Sequence, residues 1–148
     1  MQKCTLALGC FWKPEENFKN KPGIIQTEVG YAGGHNPKVT YEEVCTGNSG
    51  HTEVVQLTFD ENVISYKKIL DLFFKMHDPT QKDMQYPDVG TQYRSEIFYE
   101  NETQKKEALD IFNEFNKRHD GKVQTNISEI KNYCRAEEYH QKYIEKNR

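Results

Sequence analysis

Short apolar runs of strand character alternate with helix-period segments along the 148-residue sequence, and few folds accept that order. Residues 3–8, 24–31, 51–59, 94–100 and 122–130 read as strands. Residues 13–18 read as a first helix, with Pro14 in its first turn and Glu15 and Glu16 near the positive end of its dipole. Thr40 with Glu43 spells a capping box, so a short helix is expected over 40–44. Ser65 caps an amphipathic helix with Tyr66, Ile69, Leu70, Phe73 and Phe74 on one face. Asn101 opens another, with Ala108, Leu109, Phe112 and Phe115 as its expected inner face. Residues 135–146 read as a terminal helix, and residues 77–91 as a long polar loop of the kind that is usually functional or disordered. Taken over the longer elements, the order βαββαβαβ with helices on one face argues an α+β fold rather than a doubly wound sheet. The simplest candidate is a ferredoxin-like split βαβ plait, a mixed sheet with helices packed against it, formed by residues 1–148 as one domain.

Composition removes several function classes. Twenty Lys and Arg against 23 Asp and Glu leave a net charge of −3, which argues against a nucleic-acid footprint. No apolar run approaches the roughly 18 residues a membrane helix needs. Four cysteines are too few for a disulfide scaffold, and none makes a C-x-x-C pair. The five histidines are scattered, so no metal site is expected. Gly33-Gly34 is too weak a signal for a phosphate-binding loop. With no secretory signal read at the start of the sequence, a reducing cytoplasm is expected and any functional cysteine should be a thiol.

Cys10 lies between a strand and a helix start, where free amides and the helix dipole stabilise a thiolate and can lower its pKa from about 8.5 to roughly 3.5–7.5. A buried structural cysteine is the competing reading. The adjacent Phe11 and Trp12 either wall an apolar pocket or belong to the core. In Gly50-His51-Thr52-Glu53-Val54-Val55, strand alternation puts His51, Glu53 and Val55 on one face. Glu53 is then either a buried carboxyl with a raised pKa or, on residue chemistry alone the favoured reading, an exposed strand carboxylate. Asp88 and Tyr93 fit a hydrogen-bonding site, Asp88 equally an Asx turn before Gly90, and Tyr41 by itself a helix-packing aromatic.

Taken in order, Gly9-Cys10-Phe11-Trp12, Gly30-Tyr31-Ala32-Gly33-Gly34, the stretch Thr40-Tyr41-Glu42-Glu43-Val44-Cys45-Thr46-Gly47 and Gly50-His51-Thr52-Glu53-Val54-Val55 resemble the A-type peptide methionine sulfoxide reductases. The collinear series continues through His77-Asp78-Pro79-Thr80, Asp88-Val89-Gly90-Thr91-Gln92-Tyr93-Arg94-Ser95 and Ala136-Glu137-Glu138-Tyr139-His140-Gln141, nearly the whole chain. The resemblance implies that Cys10 attacks the sulfoxide sulfur, Glu53 protonates the oxygen, and Tyr41 and Tyr93 hydrogen-bond it. It implies that Phe11 and Trp12 hold the substrate methyl group and that Asp88 helps position the substrate. The implied substrate is the S epimer of methionine sulfoxide, free or in peptides and proteins. The implied product at Cys10 is a sulfenic acid.

Lys13-Pro14, Pro87 and Tyr133-Cys134-Arg135 depart from the family pattern. Regeneration of Cys10 is expected from an external thiol such as thioredoxin, glutaredoxin or glutathione, with no bound cofactor. Cys134 is the second candidate, as a resolving thiol. Cys45 matches a position with a packing role, and Cys4 is too far along the strand for a relaxed disulfide with Cys10. The enzyme is expected to act as a monomer. Two other readings are a cysteine hydrolase with His51 as the base for Cys10 and a non-catalytic module that binds methionine peptides.

Overall fold

The computed structural model describes residues 1–147. Its strands and helices are β1 (Gln2–Leu8), α1 (Trp12–Phe18), β2 (Ile24–Ala32), α2 (Tyr41–Cys45), β3 (Thr52–Phe59), α3 (Tyr66–Met76), β4 (Met84–Gln85) and β5 (Asp88–Val89). They continue with β6 (Ser95–Tyr99), α4 (Glu102–Arg118), β7 (Asn126–Glu129), β8 (Cys134–Arg135) and α5 (Tyr143–Lys146).

One sheet carries the order β7-β6-β1-β3-β2-β8. Strand β3 lies antiparallel between β1 and β2, so the β1–α1–β2 crossover is split by an inserted strand, as the element order predicts. Strand β6 pairs antiparallel with β1, and α4 returns the chain so that β7 pairs parallel with β6, which makes the sheet mixed.

Alternation along the strands sorts two faces. On one, Leu6, Val29, Val55, Leu57 and Ile97 meet Phe18, Ile69, Leu70, Phe73 and Phe115 from the helices. The other carries a small cluster, Ala7, Ala32, Val54 and Phe98, against Ile130 and Tyr133. Each large side chain buried on the helix side is worth about 1.5–3 kcal/mol, so this side dominates the packing energy.

In α3 the expected face is the buried one, and Ser65 Oγ caps it by accepting from the Lys68 amide at 3.0 Å. In α4 the inner face differs from expectation: Gln104, Ala108, Ile111 and Phe115 are buried, Phe112 is partly so, and Leu109 is 43% exposed. Two apolar stripes overlap on this helix. The stack of Phe115 on Phe74 at 4.9 Å orients the helix so that Ile111, not Leu109, turns inward.

The C-terminal segment is also corrected. In place of a helix over 135–146 the chain pairs Cys134–Arg135 with β2, makes a short 3-10 turn at Glu138–His140 and forms only the brief α5. Polar side chains account for this. Gln141 accepts from the Val29 amide and donates to the Val29 carbonyl, both at 2.9 Å, and Glu137 accepts from the Tyr31 hydroxyl and the Tyr41 amide, both at 2.9 Å. A continuous helix would turn some of these inward groups to solvent. The expected strand over 122–130 shortens to β7 because the Val123 and Gln124 amides bond to Asn116 Oδ1 and the Pro79 carbonyl instead. The long loop over 77–91 folds into the β4–β5 hairpin, turning at a cis Tyr86–Pro87 peptide.

Candidate active site

Strand β1 ends at Leu8, and Gly9 turns the chain with φ of +97°. A Cβ at this position would stand 2.9 Å from Cβ of Gln85, so both the left-handed backbone and the hairpin laid across it require glycine. The turn delivers Cys10, half-buried, directly before α1.

Glu53, the second residue of β3, points to the helix side of the sheet and is 1% exposed, so the exposed-carboxylate reading falls. Its Oε1 accepts from the Phe11 amide at 3.2 Å, which places the carboxyl against the residue following Cys10. Burial pushes the Glu53 pKa up, the Phe11 amide draws it down and the Asp88 charge pushes it up, leaving it at about 8. At neutral pH this side chain is mainly a carboxylic acid.

The expected low-pKa thiolate is corrected. Burial raises the Cys10 thiol first, the Trp12 amide draws it down, and the Glu53 and Asp88 charges raise it, to about 12. Helix α1 is seven residues long and directs only one amide at the sulfur, while two carboxylates lie within electrostatic reach. Glu53 raises the thiol only when ionised, so in its acid form, the main one at neutral pH, burial and the Asp88 charge are what hold the thiol up.

Two phenols complete the polar wall. Tyr41 opens α2 behind the expected Thr40–Glu43 capping box. Burial pushes its pKa up, as does the hydrogen bond to Cys45. Tyr93 ends a 3-10 turn, and burial followed by the Glu53 charge pushes it up to about 12. Both keep their protons at neutral pH and remain donors. Phe11 is 1% exposed, packed at 5.7 Å from the Tyr31 ring and 5.2 Å from the His140 ring, and so forms a buried wall. Trp12 is half-buried, stacked on Tyr143 at 3.8 Å, and its indole N–H donates to His140 Nδ1 at 3.1 Å.

The family model for peptide methionine sulfoxide reductase matches residues 2–148. The chain belongs to the peptide methionine sulfoxide reductase family. It is 55% identical over 146 residues to the peptide methionine sulfoxide reductase MsrA of Pelagibacter ubique, covering 99% of each chain. The reduced form of Mxr1 from Saccharomyces cerevisiae superposes with a TM-score of 0.95 at 40% identity, over 99% of this chain and 85% of that one. Mxr1 in complex with Trx2 superposes with a TM-score of 0.68 at 28% identity, over 96% of this chain and 84% of that one.

In this reductase the remaining candidates separate. Asp88 opens β5 and lines a cleft of about 190 Å³ together with Cys10. The Gly90 amide bonds to the Asp83 carbonyl and not to Asp88, so the Asx-turn reading fails. His51 is 1% exposed, with Nε2 2.7 Å from the Asn36 carbonyl oxygen and its ring against Gly34. It is absent from the groups that act on the Cys10 thiol, so the hydrolase reading lacks its base. His77 does line the Cys10 cleft, but burial lowers it to about 4 and its two nitrogens are held by the Phe73 carbonyl and Ser95 Oγ.

Cys134 stands in one cross-strand row with Tyr31 and Glu53. Two strand spacings put its Cα about 10 Å from that of Glu53, with Tyr31, 0% exposed, between them. Its thiol faces the Val39 carbonyl at 3.6 Å, on a strand separated from β3 by β2. Cys45 is exposed at the end of α2 and bonded to Tyr41, not packed in the core as expected, and Cys4 is fully buried. The sequence reading missed His140, which touches Phe11, Trp12 and Tyr41, and Glu137, which fixes Tyr31 and Tyr41. The available signal was their polar character within Ala136-Glu137-Glu138-Tyr139-His140-Gln141, which fits no amphipathic helix face.

Proposed function

We propose that this reductase converts the S epimer of methionine sulfoxide, free or within peptides and proteins, to methionine, with Cys10 as nucleophile and Glu53 as acid. One observation carries the assignment of roles: a carboxyl that holds its proton to about pH 8 is fastened to the amide next to the thiol. A sulfoxide has an electron-poor sulfur and an electron-rich oxygen. Attack by the Cys10 sulfur drives charge onto that oxygen, where Glu53 gives up its proton and takes the Cys10 thiol proton in exchange, while Tyr41 and Tyr93 donate hydrogen bonds. The oxygen passes to Cys10 as a sulfenic acid while the sulfide, methionine, leaves. Phe11 and Trp12 offer the apolar wall for the methyl group, and Asp88 borders the cleft that receives the rest of the substrate.

Thiols then reduce the sulfenic acid, the first forming a mixed disulfide with release of water and the second freeing Cys10. The proposed reductant is an external dithiol of the thioredoxin type, with glutaredoxin and glutathione as further thiols of suitable chemistry. The complex of yeast Mxr1 with Trx2 supports thioredoxin, and the Cys134 thiol, turned to the Val39 carbonyl, supports an external partner. The proposed setting is a reducing cytoplasm, with the enzyme acting as a monomer.

Single turnover tests this reading. Pre-reduced protein mixed with a methyl sulfoxide peptide, without added reductant, should release one methionine per chain and leave one oxygen atom on the Cys10 peptide by mass spectrometry. Cys10→Ser should release none. Full release by that variant would overturn the assignment.

A further inference from the structure

Lys13 and Asp88 both border the cleft beside Cys10, and neither is used by the fold. Lys13, the second residue of α1, is exposed and makes no ion pair among the described residues. Lys19, six residues on, is bound at 2.9 Å by both Glu16 and Glu145. A cation in the first turn also faces the positive end of its own helix, an arrangement helix stability does not favour. Asp88 accepts no hydrogen bond and makes no ion pair among the described residues, although its charge reaches Cys10, Glu53 and Tyr93. Two other polar side chains of the cleft are engaged. The Gln85 side chain accepts from the Asp78 amide at 3.1 Å, and both nitrogens of His77 are bonded at 2.7 and 2.8 Å. Among the described residues the cleft thus presents an unpaired cation and an unpaired anion beside the thiol, over an apolar floor that includes Leu8, Pro14 and Met76.

We propose that this cleft is a substrate subsite in which Lys13 binds a carboxylate carried close to the main chain of the oxidised methionine. The proposal rests on the reductase reading above. With sulfur at Cys10 and the methyl group toward Trp12, the Cα three bonds away falls about 4–5 Å off, on the side of the cleft. A free methionine sulfoxide brings its own α-carboxylate to Lys13 and its ammonium to Asp88. A residue within a peptide brings neither charge, but an acidic side chain next in sequence supplies the same carboxylate. Lys13 is then a determinant of specificity, and it acts on binding rather than on the chemical step.

The test compares kcat/KM of the full-length enzyme and its Lys13→Gln and Lys13→Glu variants. The probes are N-acetyl-methionine sulfoxide as free acid, its neutral methylamide, and blocked peptides with Asp or Lys following the methionine sulfoxide. The ratio of acidic to neutral substrate should fall about fivefold in Lys13→Gln, chiefly through KM. In Lys13→Glu it should invert in favour of the lysine peptide. A fall confined to the free acid identifies the α-carboxylate as the group bound, and one confined to the Asp peptide identifies the neighbouring side chain. Either supports the subsite. Ratios equal to wild type in both variants overturn it. Wild-type enzyme inactive on every probe, the neutral methylamide included, would instead count against the reductase reading itself.

Discussion

Glu53 and Glu15 are each 1% exposed, yet the donors around them differ. Glu15 of α1 accepts from the Thr27 hydroxyl at 2.8 Å and from the Lys142 amide at 2.6 Å, one bond to each oxygen. It ties the first helix to β2 and to the C-terminal segment. Glu53 receives a single amide at 3.2 Å and faces the charge of Asp88. Two short donors, one to each oxygen, make the buried Glu15 side chain a fastening between elements. One long donor and a neighbouring anion make Glu53 a site that keeps a proton. Burial alone does not distinguish a structural acid from a reactive one; the supply of donors does.

The largest expected effect breaks the comparison at Glu53. Glu53→Gln keeps the shape and the Phe11 contact but has no acid proton, and should slow single-turnover reduction by about 10²–10⁴-fold while peptide binding persists. A rate within a few-fold of wild type would remove Glu53 from the chemistry. Next comes the pH dependence of stability. Folded Glu53 releases its proton near 8, against an ordinary 4.5. Between these values the native state holds a proton that the unfolded chain has lost, so stability falls as pH rises from about 4.5 to about 8 and levels off above. The fall is on the order of a few kcal/mol. Urea midpoints should show the slope in wild type and a flatter one in Glu53→Gln.

Glu15→Ala should cost about 2–4 kcal/mol in urea unfolding, because it orphans a buried hydroxyl and a partly buried amide, with a much smaller effect on single-turnover rate than Glu53→Gln. The reverse pattern would exchange the two roles. The smallest effect sharpens the contrast: Thr27→Val removes one of the two Glu15 donors and should cost about 1 kcal/mol. No loss there would mean that the Lys142 amide alone satisfies the carboxylate.

Much of the architecture was legible because it is written in local patterns. The period of Tyr66, Ile69, Leu70, Phe73 and Phe74 and the Thr40–Glu43 cap act over a few residues, and each forms as expected. The choice of Ile111 over Leu109 was not legible, since it depends on Phe74 from another helix. Nor was the break-up of residues 135–146, whose side chains answer to Val29, Tyr31 and Tyr41.

The same division runs through the site. The resemblance of the ordered motifs to the reductase family nominated Cys10, Glu53, Tyr41 and Tyr93, whereas side-chain chemistry alone favoured an exposed Glu53 and a packing Tyr41. The charge state of each nominee was not contained in its neighbours. Glu53 takes its pKa from burial first, then from an amide 42 positions away and from Asp88, and Cys10 rises where local helix logic expected it to fall. Periodicity and capping act between adjacent turns and can be read along a chain. Desolvation and Coulomb forces act through space, so only the folded arrangement decides which acid keeps its proton and which thiol it stands beside.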